Sequence, residues 1–351
     1  MVTKEKILKK ADPNQNTGLT GTRKNYDRWL DEWLSFRKMR VKESTYIRYR
    51  NMVDNHIRPY LGRRPIEEID TVAMEAYVSK LLQSGRLDRQ GGLSAKSILD
   101  ILTVVKESFR YAGSHGVDTT CRFEHVCVKR KPQEMRVLSR QEEKELVGLL
   151  LADTDSYKLG VFLSLYTGIR IGELCALQWK DISLEDQTLR IHKTLQRLQK
   201  TDPGERDRTH VVITEPKSHM AKRVIPLPDF VVEVVAAFKG LPEAYVAAGK
   251  ETGYVEPRTM QNRFKNYVNE SGIGDANFHS LRHTFATRCV ESGFDIKSLS
   301  EILGHSSVKI TLDRYVHSSL EQKRANMEKL KACYPAQAAG TKKKEKAAYG
   351  K

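Results

Sequence analysis

The chain has 351 residues, with 60 Lys and Arg against 44 Asp and Glu, a net charge of +16, and 39% hydrophobic side chains. That length exceeds one typical domain and predicts two cores. The charge favours a polyanionic partner, either nucleic acid or an anionic membrane surface. No apolar run approaches the ~20 residues that span a bilayer, which argues against a membrane protein. The leading MVTKEKILKKADPNQ lacks an apolar stretch followed by a small-residue cleavage site, so the protein is expected to stay inside the cell. Five scattered cysteines suit reduced thiols better than a disulfide framework. Cys121 and Cys127 are too far apart for a usual zinc knuckle and are read as buried thiols.

Residues 1–22 are polar and aperiodic and read as a flexible arm. From Tyr26 the pattern turns helical, with Trp29, Leu30, Trp33, Leu34 and Phe36 at helix spacing. A second run opens at Ser44 and carries Tyr46, Ile47, Tyr49, Val53 and Ile57, with Pro59 and Gly62 expected to end it. Third and fourth helices are predicted over Thr71 to Leu82 and Ser94 to Ala112, making residues 23–128 a helical domain. Six basic residues, Arg37, Lys38, Arg40, Lys42, Arg48 and Arg50, crowd one short stretch. Such a cluster is either a solvated helical face or a surface for DNA backbone contact.

Residues 129–137 are charged, contain Pro132, and read as an interdomain linker. A second domain, residues 138–333, opens with Ser139 capping a helix and Glu142 three residues on. A strongly apolar helix follows from Tyr157 to Tyr166, stopped by Thr167-Gly168. Residues 188–195, 209–214 and 223–227 alternate as strands of a small antiparallel sheet. Helices are then predicted over Phe230 to Phe238, Thr259 to Val268, His279 to Val290, Ile296 to Leu303 and Ser319 to Leu330. The Lys-rich residues 334–351 are low in apolar side chains and are expected to be disordered.

Four segments carry the chemistry. In Thr167-Gly168-Ile169-Arg170-Ile171-Gly172-Glu173 a Gly turn presents Arg170 at a helix start, beside backbone N–H donors that suit an anion. Lys217 lies in a turn between strands, where an ammonium can reach a cleft. His279, Arg282 and His283 stand at i, i+3 and i+4 and share one helical face. That face could hold a zinc pair or grip a phosphate, and the missing Glu after the first His, with the flanking Arg, favours the phosphate. The last segment is Leu303-Gly304-His305, followed ten residues later by Tyr315.

In their order, these residues resemble the catalytic set of the tyrosine recombinases, the phage and conjugative-transposon integrase family. That set comprises an Arg in a Gly-rich turn, a Lys on a β-turn, a His-x-x-Arg, a Gly-His and a Tyr shortly afterwards. The resemblance runs from about Tyr26 to Leu330. It implies a mainly α fold with a small antiparallel sheet: a helical, SAM-like core-binding domain and a mixed α/β catalytic domain, closing as a C-shaped clamp on duplex DNA. Only about 22 residues precede the first predicted helix, so a separate arm-binding domain is not expected.

The resemblance also implies roles. Tyr315 attacks a DNA phosphorus and leaves a 3′-phosphotyrosyl link and a free 5′-hydroxyl; joining is the reverse. Arg170 and Arg282 neutralise the non-bridging oxygens of the transition state, and Lys217 protonates the leaving 5′-oxygen. His279 is a proton acceptor or phosphate contact, and His305 a second donor to the phosphate. Glu173 orients the neighbouring cations, and His283 is either a supporting or a packing residue. No metal or cofactor is called for. The expected partners are double-stranded DNA, other copies of the chain in a tetrameric synapse through residues 319–330, and an accessory DNA-bending or excision factor. Residues 319–330 could instead dock onto their own domain. The expected location is the bacterial cytoplasm, at the nucleoid. The reading is excision and integration of a mobile element; the alternatives are a chromosome-dimer resolvase and a type IB topoisomerase-like enzyme.

Overall fold

A computed structural model of the chain describes residues 24–130, 135–200, 208–216, 219–249, 253–316, 323–324 and 327–328. The expected N-terminal arm, Lys217, most of 319–330 and the tail 334–351 lie outside the described residues. The chain divides after Pro132 into two compact units.

The first unit is helical. It comprises α1 (Tyr26–Lys38), α2 (Glu43–Met52), α3 (Arg58–Leu61), α4 (Thr71–Ser84) and α5 (Ala95–Ser114). Tyr26, Trp29, Leu30 and Trp33 recur at helix spacing on α1 and are buried, packing with Ile98, Leu102, Val105 and Phe109 of α5 in one core. Tyr26 Oη is satisfied there by Ser108 Oγ at 2.6 Å. Asp70 and Ser94 cap α4 and α5 by accepting from the backbone N–H groups of Ala73 and Ser97.

Pro59 and Gly62 were expected to end the second helical run; the chain passes through Pro59 and the run ends at Leu61, just before Gly62. A single π turn, Val53–Ile57, separates α2 from α3, and Pro59 sits in the first turn of α3. A first-turn position tolerates a residue without an N–H, and the widened π turn takes up the extra backbone.

The second unit begins with α6 (Arg140–Ala152), whose capping box joins Ser139 and Glu142 reciprocally. Next come α7 (Ser156–Thr167) and the five-residue α8 (Ile171–Cys175). Five strands follow: β1 (Ile182–Ser183), β2 (Thr188–Ile191), β3 (Thr194–Gln199), β4 (Thr209–Thr214) and β5 (Arg223–Pro226). The remaining helices are α9 (Asp229–Ala236), α10 (Pro257–Glu270), α11 (Phe278–Glu291), α12 (Ile296–Leu303) and α13 (Val308–Tyr315).

The expected single sheet is two antiparallel sheets, β1-β2-β5 and the hairpin β3-β4. The run read as one strand over 188–195 breaks at His192-Lys193. Leu189 and Ile191 of β2 enter the main core, and β3 leaves to pair with β4 from Thr194↔Thr214 to Gln199↔Thr209. Helix α13 was not foreseen. Its one-turn spacing of Thr311 and Tyr315 buries only two side chains, too few for a periodic signal. Cys127 is exposed and Cys121 half-buried, against the expectation that both are buried.

Candidate active site

Helix α7 ends at Gly168, which takes the left-handed conformation at φ 64°. A β-carbon there would stand 2.5 Å from Phe285 Cδ1 and 2.9 Å from Leu303 Cδ2, so only glycine fits. This turn carries the chain into α8 with Arg170 at its N-cap. The backbone N–H of Arg170 itself donates to Glu173 Oε2 at 2.9 Å.

Helix α12 ends at Gly304, also left-handed at φ 63°. The last carbonyls of a helix lack intrahelical partners and carry partial negative charge. Three successive ones are each taken by an arginine from a different segment. Arg223 Nε donates to Ile302 O at 2.5 Å, Arg282 Nη2 to Leu303 O at 2.7 Å, and Arg170 Nη2 to Gly304 O at 3.2 Å. Arg282 also donates through Nη1 to Gly168 O at 2.8 Å. The two glycine turns thus hold the Arg282 fork between them, with N–H donors to spare for a ligand.

Glu173 sits beneath the arginines, 3% exposed, and accepts from Arg170 Nη1 at 2.8 Å and from Arg223 Nη1 and Nη2 at 3.1 and 2.8 Å. Burial raises its pKa, but the hydrogen bonds and charge of Arg223, with the charge of Arg170, hold the carboxylate below its ordinary value. Burial and the positive charge of Arg170 press the Arg282 guanidinium down to about 9, still cationic at neutral pH.

His279, Arg282 and His283 share α11, with Arg282 fully buried and His279 exposed. Burial and surrounding cations lower all three imidazoles of the site, His279 and His283 to about 4 and His305 to about 3, so they are neutral near pH 7. His305 is buried, its Nδ1 paired with Thr311 Oγ1 at 2.8 Å. Its ring stacks on Tyr315, 6.3 Å between centroids at 4°. Tyr315 ends α13 and is 6% exposed; burial raises its pKa, opposed by the charges of Arg282 and Arg314. Its Oη lies 2.9 Å from His283 Nδ1.

A cleft of about 520 Å³ opens over this group, lined by Arg170, Glu173, His279, Arg282, His305 and Arg314, with Pro216 at its margin. The structure therefore brings together Arg170, Glu173, His279, Arg282, His283, His305 and Tyr315. Lys217 lies outside the described residues, although Pro216, its neighbour in sequence, lines the cleft. Sequence reasoning missed Arg223, whose partner Glu173 is 50 residues away, and Arg314, one residue before the tyrosine. No cluster of metal-ligating side chains occurs among the described residues.

A second groove, of about 580 Å³, adjoins His279 and is lined by Arg258, Gln261, Asn262 and Lys265 of α10. These four stand at i, i+3, i+4 and i+7, so they form one exposed stripe. The basic cluster of the first unit is largely engaged within that unit. Arg37 pairs with Glu107, Arg48 with Asp100 at 2.5 Å, Arg40 lies over the Phe36 ring at 3.8 Å, and Lys38 over Tyr46 at 6.0 Å. Lys42 and Arg50 also have partners.

A cationic cleft with a buried tyrosine stacked on one of its lining histidines suits the binding of a phosphate near a tyrosine hydroxyl. Residues 136–322 match the phage integrase family and residues 26–82 the N-terminal SAM-like domain of phage integrases; the chain belongs to this family, that of the tyrosine recombinases. It is 27% identical to a tyrosine recombinase XerC-like protein of Caldanaerobacter subterraneus subsp. tengcongensis, covering 86% of this chain and 80% of that one. It is 24% identical to the ICEBs1 integrase of Bacillus subtilis, covering 82% and 78%. The fold resembles that of the Tn1549 transposon integrase in complex with a circular intermediate DNA, with a TM-score of 0.71 and 22% identity over 88% of this chain and 99% of that one. No described helix is long and apolar enough to cross a membrane.

Proposed function

We propose that this chain is a site-specific recombinase that cuts and rejoins duplex DNA through a 3′-phosphotyrosyl intermediate, in the excision and integration of a mobile element. The observation that carries this reading is the gathering of Arg170, Arg282 and His305 from separate elements around one cleft, with Tyr315 stacked on His305. A scissile phosphate in that cleft meets two guanidinium forks, which offset the charge that gathers on its non-bridging oxygens. His305, fixed by Thr311, donates to the same oxygens. Glu173 keeps Arg170 aimed from below. Lys217 supplies the proton to the departing 5′-oxygen.

Double-stranded DNA is the partner that the charge favours. The α10 stripe offers side chains of the types that read base edges, and Arg37, Lys38, Arg40, Lys42, Arg48 and Arg50 supply backbone contacts from the first unit. Assembly into a tetramer runs through residues 319–330, and an accessory DNA-bending or excision factor sets direction. The mobile-element role follows the ICEBs1 integrase; chromosome-dimer resolution is the second reading. Supplying the protein with a circular-intermediate junction of its own element, and with a chromosomal dimer-resolution site, separates the two. Recombination of the junction alone supports the first reading, and of the chromosomal site alone the second.

A further inference from the structure

The cleft explains how a phosphate is held, but a tyrosine that attacks phosphorus must also lose its phenolic proton. Three kinds of group surround Tyr315 Oη. Arg282 and Arg314 are cations that can donate but not accept. His305 faces the ring by stacking, and its Nδ1 is already taken by Thr311. His283 alone, among the described residues, places an imidazole nitrogen at hydrogen-bond distance from Oη, 2.9 Å away.

We propose that His283 accepts the Tyr315 proton during strand cleavage and returns it during rejoining. The proposal rests on the recombinase reading above. It moves the acceptor role one helical turn from His279, whose ring lies edge-on to His283 at 4.5 Å between centroids. In cleavage the Oη–H bond breaks as the Oη–P bond forms, and the proton passes to His283 Nδ1. The P–O5′ bond breaks and the 5′-oxygen takes its own proton from a separate acid, Lys217. In rejoining the 5′-hydroxyl returns its proton to Lys217 as it attacks phosphorus, the Oη–P bond breaks, and Oη recovers its proton from Nδ1.

The surroundings suit a neutral acceptor. His283 is faced by His279 and Arg282 from its own helix and by Arg314 and Tyr315 from α13. Burial, Arg314 and Arg282 hold it uncharged before substrate arrives. In the tautomer with its proton on Nε2, the Nδ1 lone pair faces the phenol. A phosphate entering the cleft brings the negative charge that stabilises the imidazolium once formed.

The test uses the full-length protein and a nicked suicide duplex carrying the element's ends. His283→Asn keeps a side chain able to hydrogen-bond Tyr315 but unable to take its proton. It should bind the duplex as the wild type does and form adduct at least about 100-fold more slowly. A duplex with sulfur in place of the bridging 5′-oxygen needs no acid for its leaving group. That substrate should rescue Lys217→Ala and leave His283→Asn slow. Placing a ring-fluorinated, more acidic tyrosine at position 315 should restore much of the rate to His283→Asn. The proposal is overturned if His283→Asn cleaves within about threefold of the wild type, well short of a proton-transfer loss. It is equally overturned if the sulfur substrate rescues this variant, which assigns His283 to the leaving group, or if the acidic tyrosine does not, which leaves it a positioning residue. A wild type that forms no adduct removes the recombinase reading itself.

Discussion

Arg223 and Glu173 face each other as a bidentate pair, 3.1 and 2.8 Å, with side chains 5% and 3% exposed. The pair links β5 to α8, and through Ile302 O it reaches the end of α12. Removing one partner strands a buried charge. Arg223→Ala should therefore cost about 3–5 kcal/mol in denaturant unfolding and weaken cleavage by loosening Arg170. A loss below about 1 kcal/mol would show the pair to be replaceable by water.

The titrating groups give stability a defined pH dependence. Glu173 has a folded pKa below its unfolded value, so its contribution is present above the unfolded pKa and is lost as pH falls through the folded one. His279, His283 and His305 are also depressed, to about 4, 4 and 3, which works in the same direction. The unfolded chain binds their protons from about pH 6.5 downward while the folded chain does not. The unfolding midpoint should fall steadily from pH 7 to pH 4, and less steeply in His305→Gln. A midpoint flat over that window would contradict the lowered pKa values of these rings.

Gly168→Ala combines an unfavourable left-handed residue with a β-carbon that meets Phe285 and Leu303. The expected destabilisation is on the order of 2 kcal/mol. Because Gly168 O accepts from Arg282, cleavage should fall further than stability alone requires. Thermal unfolding beside single-turnover cleavage checks both, and an unchanged cleavage rate would separate the turn from the arginine.

Much of this site is legible in the sequence, and the reasons for the rest are physical. Arg170, Arg282, His305 and Tyr315 are found because each sits in a short local pattern, a glycine turn or helix spacing. Arg223 is invisible to such reasoning, since its meaning lies in a carboxylate 50 residues away and in a helix end 79 residues away. The closeness of His283 to Tyr315 likewise depends on α13 folding back across α11. In the fold, the helix starts at Ser139, Asp70 and Ser94 follow capping chemistry. The split at His192 and the π turn before Pro59 depend on tertiary packing instead.

The surfaces proposed for base reading and for backbone contact give different readouts. Replacing Asn262 or Gln261 with Ala should change which site sequence is preferred, by about 1–3 kcal/mol at one base pair, measured by competition between duplexes. Replacing Arg37, Lys38 and Arg40 together should weaken binding to all sequences and flatten its salt dependence. An unchanged salt slope would place that cluster away from DNA, in keeping with the internal pairing of Arg37 with Glu107.

In this mechanism Tyr315 becomes covalently joined to DNA. A nicked suicide duplex bearing the element's ends, incubated with the protein and then denatured, measures this directly. The wild type should give a denaturation-resistant adduct, mapped to a peptide containing Tyr315, and Tyr315→Phe none. An adduct of equal yield with Tyr315→Phe would contradict it.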